Sequence, residues 1–188
     1  MGKVKTRKII CLYGSPSVGK STVCAGLYYH LKLMGYECEM NREYVKDLAW
    51  KGIHPKSGDQ SYFFAKMARK ERIYIDAGLD FIITDSPLIL CHFYGMKFDK
   101  FEQMTNTSLS MLKNHHQYCI EAGYKIDHFL LNRASKYSPN GRYQSEEEAN
   151  EIDKELRDMM GEMNIKYRAV DADIDCVFNI INILKDGE

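Results

Sequence analysis

Short apolar runs alternate with amphipathic stretches along the whole chain, the pattern of strands feeding into helices. The run Ile9-Ile10-Cys11-Leu12-Tyr13 has no polar interruption and reads as a strand covered on both faces. Ser21 to Met34 reads as the helix that follows, with Gly35 offering a left-handed stop. Tyr36 to Met40 is a short second strand, and a helix is expected from about Arg42 to Lys51. Gly52 to Gly58 is a loop by its Gly and Pro content. Asp59 can cap a helix that reaches Ala77 and ends at Gly78. Asp80-Phe-Ile-Ile-Thr84 is the third strand, and a helical region from about Phe98 to Glu121 leads to a fourth, His128-Phe-Leu-Leu131. Ser145-Glu-Glu-Glu148 has the form of a capping box, in which the Ser145 hydroxyl and the Glu148 carboxylate each satisfy an end N–H. A fifth strand, Ile165 to Val170, precedes a closing helix that runs to about Lys185.

Five strands joined by helical crossovers imply an α/β fold with a parallel, doubly wound sheet, because right-handed crossovers cover both faces. A chain of 188 residues fits one domain with a single core, taken here as residues 1–188. In such a sheet ligands sit beyond the carboxyl ends of the strands, so the residues just after each strand carry the functional information.

After the first strand stands Gly14-Ser-Pro-Ser-Val-Gly-Lys-Ser-Thr22, which matches G-x-x-x-x-G-K-[ST], the phosphate-binding P-loop. Gly14 and Gly19 allow backbone angles closed to other residues, so the N–H groups of Ser15, Ser17, Val18 and their neighbours can turn toward a triphosphate. Lys20 adds a point charge for the β- and γ-phosphates, and Ser21, followed by Thr22, is placed to hold Mg²⁺. The helix start contributes its positive dipole end to the same anion. The motif in this context predicts ATP and Mg as ligands.

Asp85 ends the apolar third strand in the Walker B manner, where a carboxylate holds Mg²⁺ or accepts a proton from the nucleophile. Its alternative role is to cap the helix that follows. Glu43 is a second candidate for the general base, and Arg42 beside it could hold an anionic part of the acceptor; a plain helix-start surface is the competing reading. Tyr44, Gln60 and Arg69 are candidates for stacking on and hydrogen-bonding a base, while Phe63 and Phe64 read as core. Arg133 and Arg142 lie in a polar loop, approximately residues 132–145, that suits a lid closing over phosphates; the alternative is a solvated basic loop.

Charge and cysteine usage narrow the field only slightly. Twenty-six basic and twenty-six acidic residues cancel, which argues against strong non-specific attraction to DNA but not against a local basic patch. No stretch approaches the roughly 18 apolar residues that cross a bilayer, so no membrane partner is expected. The six scattered cysteines read as reduced, mostly buried thiols of a cytoplasmic protein, neither disulfides nor zinc ligands. His115 and His116 are adjacent on a predicted helix and are expected on a solvated face.

Taken together, GSPSVGKST, the Arg42-Glu-Tyr44 segment, Asp80-Phe-Ile-Ile-Thr-Asp-Ser-Pro87 and the Arg-containing lid before Ser145-Glu-Glu-Glu resemble the P-loop kinases over nearly the whole chain. The resemblance is closest to the small AAA-type ATPase and kinase group that includes the nicotinamide riboside kinase domain of bacterial NAD regulators and small phage ATP-binding proteins. It implies a P-loop NTPase three-layer sandwich and transfer of the ATP γ-phosphate to a nucleoside, nucleotide or related acceptor. Two other readings stay open: a hydroxyl on a modified DNA base or a polynucleotide end as acceptor, so that nucleic acid is a possible partner, and a regulatory ATP-binding switch. Asp85-Ser86-Pro87 stands where thymidylate kinases carry D-R-Y/H, which separates the chain from that branch.

Overall fold

The computed structural model describes residues 6–98, 102–140 and 143–186. Its elements run β1 (Arg7–Tyr13), α1 (Lys20–Leu33), β2 (Cys38–Asn41), α2 (Val45–Trp50), α3 (Asp59–Asp76) and β3 (Phe81–Thr84). They continue with α4 (Leu88–Phe98), α5 (Glu102–Glu121), β4 (Tyr124–Asn132), α6 (Glu146–Glu162), β5 (Arg168–Asp171) and α7 (Cys176–Asp186). The strands form one sheet in the order β2-β3-β1-β4-β5, and every pairing is parallel. This is the predicted three-layer α/β architecture.

Alternation along β1 splits the core in two. Ile10 and Leu12 point to one face, where α1 and α7 cover them with Leu27, Leu31, Ile180 and Leu184. Ile9, Cys11 and Tyr13 point to the other, under α3 to α6, with Phe93, Cys119, Ile152 and Leu156. Both faces are dry, so the strand is an unbroken apolar run with no polar alternation. After β1 the chain moves toward β2, and after β4 it moves the opposite way to β5. That reversal opens a crevice at the carboxyl ends of the strands, where the loop after β1 sits.

Local signals worked where the chemistry is local. Gly35 and Gly78 hold φ of 83° and 72° just past their helices. The capping box closes as expected: the Ser145 N–H donates to Glu148 Oε2 at 2.7 Å, and the Glu148 N–H donates to Ser145 Oγ at 3.2 Å. All six cysteines are buried free thiols, and no helix among the described residues is long and apolar enough to cross a membrane.

Four expectations need correction. The helix α4 precedes the predicted helical region as a separate element, and seven of its eleven residues are buried. A helix enclosed almost all round has no amphipathic stripe, so periodicity cannot announce it. Asp59 does not cap α3: Gly58 holds the N-cap position, and the Asp59 carboxylate accepts instead from the Lys56 N–H at 2.7 Å. β4 begins at Tyr124, four residues early, because it pairs with β1 along its whole length. His115 lies buried between helices: its Nε2 sits 2.7 Å from Glu71 Oε1, whereas His116 is exposed as expected. With Cys119, one turn further on, these side chains bring three ligand atoms within 4.8 Å.

Candidate functional site

The P-loop is shaped by backbone angles that its two glycines alone can supply cheaply. Gly14 has φ of 139°, and a Cβ there would lie 2.8 Å from Val18 Cγ1 and 3.0 Å from the Leu131 carbonyl. Gly19 has φ of 105°, and a Cβ there would make only an ordinary contact with Ala172 Cβ at 3.7 Å, so conformation and not crowding demands glycine. Ser17 also adopts a left-handed φ of 64°, unusual for a residue with a side chain. Its hydroxyl accepts from the Ser138 N–H at 3.0 Å, tying the loop after β4 to the P-loop. Lys20 folds back over the loop and donates to the carbonyls of Gly14 at 2.6 Å and Ser15 at 3.1 Å.

A cavity of about 520 Å³ opens beside this loop. Pro16 to Thr22 form one wall. Glu43 and Tyr44 after β2, Gln60 and Phe63 of α3, and Leu90, Cys91 and Tyr94 of α4 form much of the other. The volume suits a nucleoside-sized molecule, since ligand pockets typically span roughly 300–1,000 Å³. Tyr143 reaches across from the loop before α6. Its hydroxyl donates to the Ile53 carbonyl at 2.5 Å, and its ring lies 4.8 Å from that of His54. The chain after β4 therefore touches both the P-loop and the far rim.

Asp85 and Glu43, read from sequence as competitors, are coupled in space. Asp85 is 2 % exposed and accepts the Glu43 N–H on Oδ1 at 2.9 Å, which joins the end of β3 to the end of β2. Glu43 lines the cavity, and Asp85 sits behind it. Burial first, and then the Glu43 charge, pushes the Cys91 thiol up to about 12, so Cys91 is a neutral thiol near pH 7. The same two causes raise Tyr143, so both groups lie within reach of the Glu43 charge.

Arg133 leaves β4 and packs on the outer side of the P-loop. Its Nη2 donates to Ser15 Oγ at 3.1 Å and to the Pro16 carbonyl at 2.9 Å, while Nη1 is buried with no partner among the described residues. Arg142, the second lid arginine, lies outside the described residues. Of the expected acceptor contacts, Tyr44 and Gln60 line the cavity, whereas Arg42 and Arg69 are exposed and do not. Sequence reasoning missed Cys91, Tyr94 and Lys97 of α4 and Glu151 and Ile152 of α6. The capping box was the one local pointer to α6, and its Glu148 does line the cavity.

A family model described as an AAA domain matches residues 9–175. No curated protein matches the chain by sequence. Among solved structures, a NadR protein in complex with NR aligns at a TM-score of 0.64 and 16 % identity, covering 96 % of this chain; the chain spans only 51 % of that one. The deoxyadenosine kinase from M. mycoides aligns with products dCMP and dCDP at a TM-score of 0.54 and 16 % identity, covering 95 % of this chain and 99 % of the other. With dATP bound it aligns at 0.53 and 19 % identity, over 95 % and 100 % of the two chains. At these identities the likeness shows the shared fold alone.

Proposed function

Because this chain belongs to the AAA domain family, we propose on that premise that it is a P-loop kinase transferring the ATP γ-phosphate to a nucleoside-like acceptor. The observation that carries the reading is that Lys20, Ser21 and Glu43 open onto one nucleoside-sized cavity. A simple nucleotide switch needs the P-loop but has no use for a carboxylate and aromatic rings set in the same cavity as the phosphate loop.

In this reading Gly14 to Thr22 cradle the triphosphate, with Lys20 leaving its carbonyl partners for the β- and γ-phosphates. The buried, unpartnered Nη1 of Arg133 fits an anion at this loop, and Arg142 is proposed as its partner on the lid. The Ser21 hydroxyl and the Asp85 carboxylate would hold Mg²⁺, an oxygen donor set suited to a hard cation. Bound there, the ion would neutralise charge on the phosphate oxygens. The acceptor hydroxyl attacks the γ-phosphorus as the bond to the ADP oxygen breaks, and Glu43 takes the hydroxyl proton. Closure of the loop carrying Tyr143 excludes water, which would otherwise compete as acceptor.

The test is transfer of labelled γ-phosphate to a panel of nucleosides, nucleotides, nicotinamide riboside and DNA oligomers with modified bases. A phosphorylated product that depends on Glu43 supports the reading. Tight ATP binding with no product from any acceptor would leave a switch in its place.

A further inference from the structure

Arg42, which the sequence offered as an anion holder, and Arg69, offered as a base contact, stand outside the cavity, with Lys66 of α3 beside them. Residues 42–72 carry eight basic side chains against four acidic ones, in a chain whose totals balance. Of those four, Glu71 is buried against His115, Glu43 faces the cavity and Asp59 holds a turn. Arg42, Lys46, Lys51, Lys56, Lys66 and Arg69 make no ion pair among the described residues, whereas Lys97, Arg157 and Arg168 each have a carboxylate. Among the described residues no carboxylate ion-pairs with this local excess.

Aromatic rings are interleaved with these cations. Trp50 is 65 % exposed and Tyr62 55 %. Tyr62, Lys66 and Arg69 follow one face of α3 at helical spacing. Lys66 Nζ lies 3.7 Å from the centroid of the Tyr44 ring, which packs 5.8 Å from Tyr62 and belongs to the cavity wall. Lys46 and Lys56 line the cavity mouth. A path of positive charge and aromatic rings thus runs from α3 into the acceptor compartment.

We infer that this rim holds a single-stranded polynucleotide and that the acceptor is a nucleoside unit within such a strand. The inference rests on the kinase reading above and names its substrate class. Unpaired cations bind successive phosphates, and exposed rings stack on bases regardless of sequence. A duplex hides its base faces, whereas an unpaired strand presents them to exposed rings. The neutral total charge is consistent, because attraction is confined to the face that leads into the cavity.

Fluorescence anisotropy of a labelled 12-nucleotide oligo-dT strand with the full chain, from 50 to 200 mM salt, tests this. Three or four phosphate contacts predict a log–log slope of about −2 to −3, a fall in affinity of roughly 16–64-fold across that range. Binding should quench Trp50, and Trp50→Ala should weaken it by about 5–100-fold. A double Lys51→Ala, Lys66→Ala variant should make the slope shallower by about one. The duplex of the same length should bind more weakly than the strand. The inference is overturned by absence of binding, by equal or tighter duplex binding, or by binding that ignores the Trp50 and lysine substitutions in variants with unchanged melting. Anisotropy needs no turnover, so failure of the rim is distinguishable from failure of phosphoryl transfer, which the labelled-phosphate panel reads separately.

Discussion

One wall of the cleft comes from seven consecutive residues, Pro16 to Thr22, while the opposite wall gathers side chains from α2, α3, α4, α6 and the loops between them. The P-loop wall works through backbone: two glycines in left-handed conformations and the start of a helix. Such a site is encoded by a short word, because each requirement falls on a residue adjacent to the next. The opposite wall works through side-chain shape and charge, assembled from residues up to about a hundred positions apart. Its identity depends on packing, and it is therefore where acceptor choice resides.

Substitutions can break this contrast in graded ways. Lys20→Ala has the largest expected effect, removing γ-phosphate transfer while melting is unchanged, since the side chain lies over the phosphate loop and not in the core. Turnover near wild type in a folded Lys20→Ala protein would remove the P-loop from the reaction. On the other wall Glu43→Gln should lower kcat by about 10²–10⁴ at saturating Mg²⁺, the typical value of a general base. Asp85→Asn should instead raise the Mg²⁺ concentration needed for half-maximal rate. An identical Mg²⁺ titration curve in that variant would leave Asp85 with its bond to the Glu43 N–H and no part in metal binding.

Gly14→Ala probes the backbone wall with a single methyl group. The clash with Val18 and with the Leu131 carbonyl, added to a φ of 139°, should cost on the order of 1–3 kcal/mol in stability and weaken ATP binding. Calorimetric affinity and melting equal to wild type would show that the loop has slack that its geometry denies.

The smallest effect comes from beneath both walls. His128 accepts the Tyr13 hydroxyl on Nδ1 at 2.9 Å, and burial, with a smaller contribution from the His116 charge, holds its pKa down at about 4. The unfolded chain takes up that proton near pH 6.5 and the folded chain resists it until about pH 4. The stability that neutral His128 contributes is therefore whole above pH 6.5 and is lost as pH falls toward 4. Denaturant unfolding across that window should be flatter in His128→Gln, and an unchanged pH slope would remove this assignment.

What could be read from the sequence follows the same division. The five strands, the P-loop, Asp85 at a strand end and the Ser145–Glu148 box are all local: neighbours in sequence specify them through φ, hydrogen bonding and apolar runs. The helix α4 escaped because burial on all sides erases periodicity, and it brings Leu90, Cys91 and Tyr94 to the site. His115 was misplaced because its partner Glu71 lies 44 positions away on another helix. The coupling of Glu43 to Asp85 was invisible for the same reason, since two strand ends meet only in the sheet.

The sequence by itself therefore determined the layered α/β fold and the phosphate-binding loop, because backbone conformation and apolar patterning act between near neighbours. The tertiary structure alone decided the shape of the acceptor compartment, the seating of Asp85 behind Glu43 and the placing of Arg42 and Arg69 outside the cavity. Those depend on which side chains sheet order and helix packing bring together, and no spacing along the chain encodes that distance.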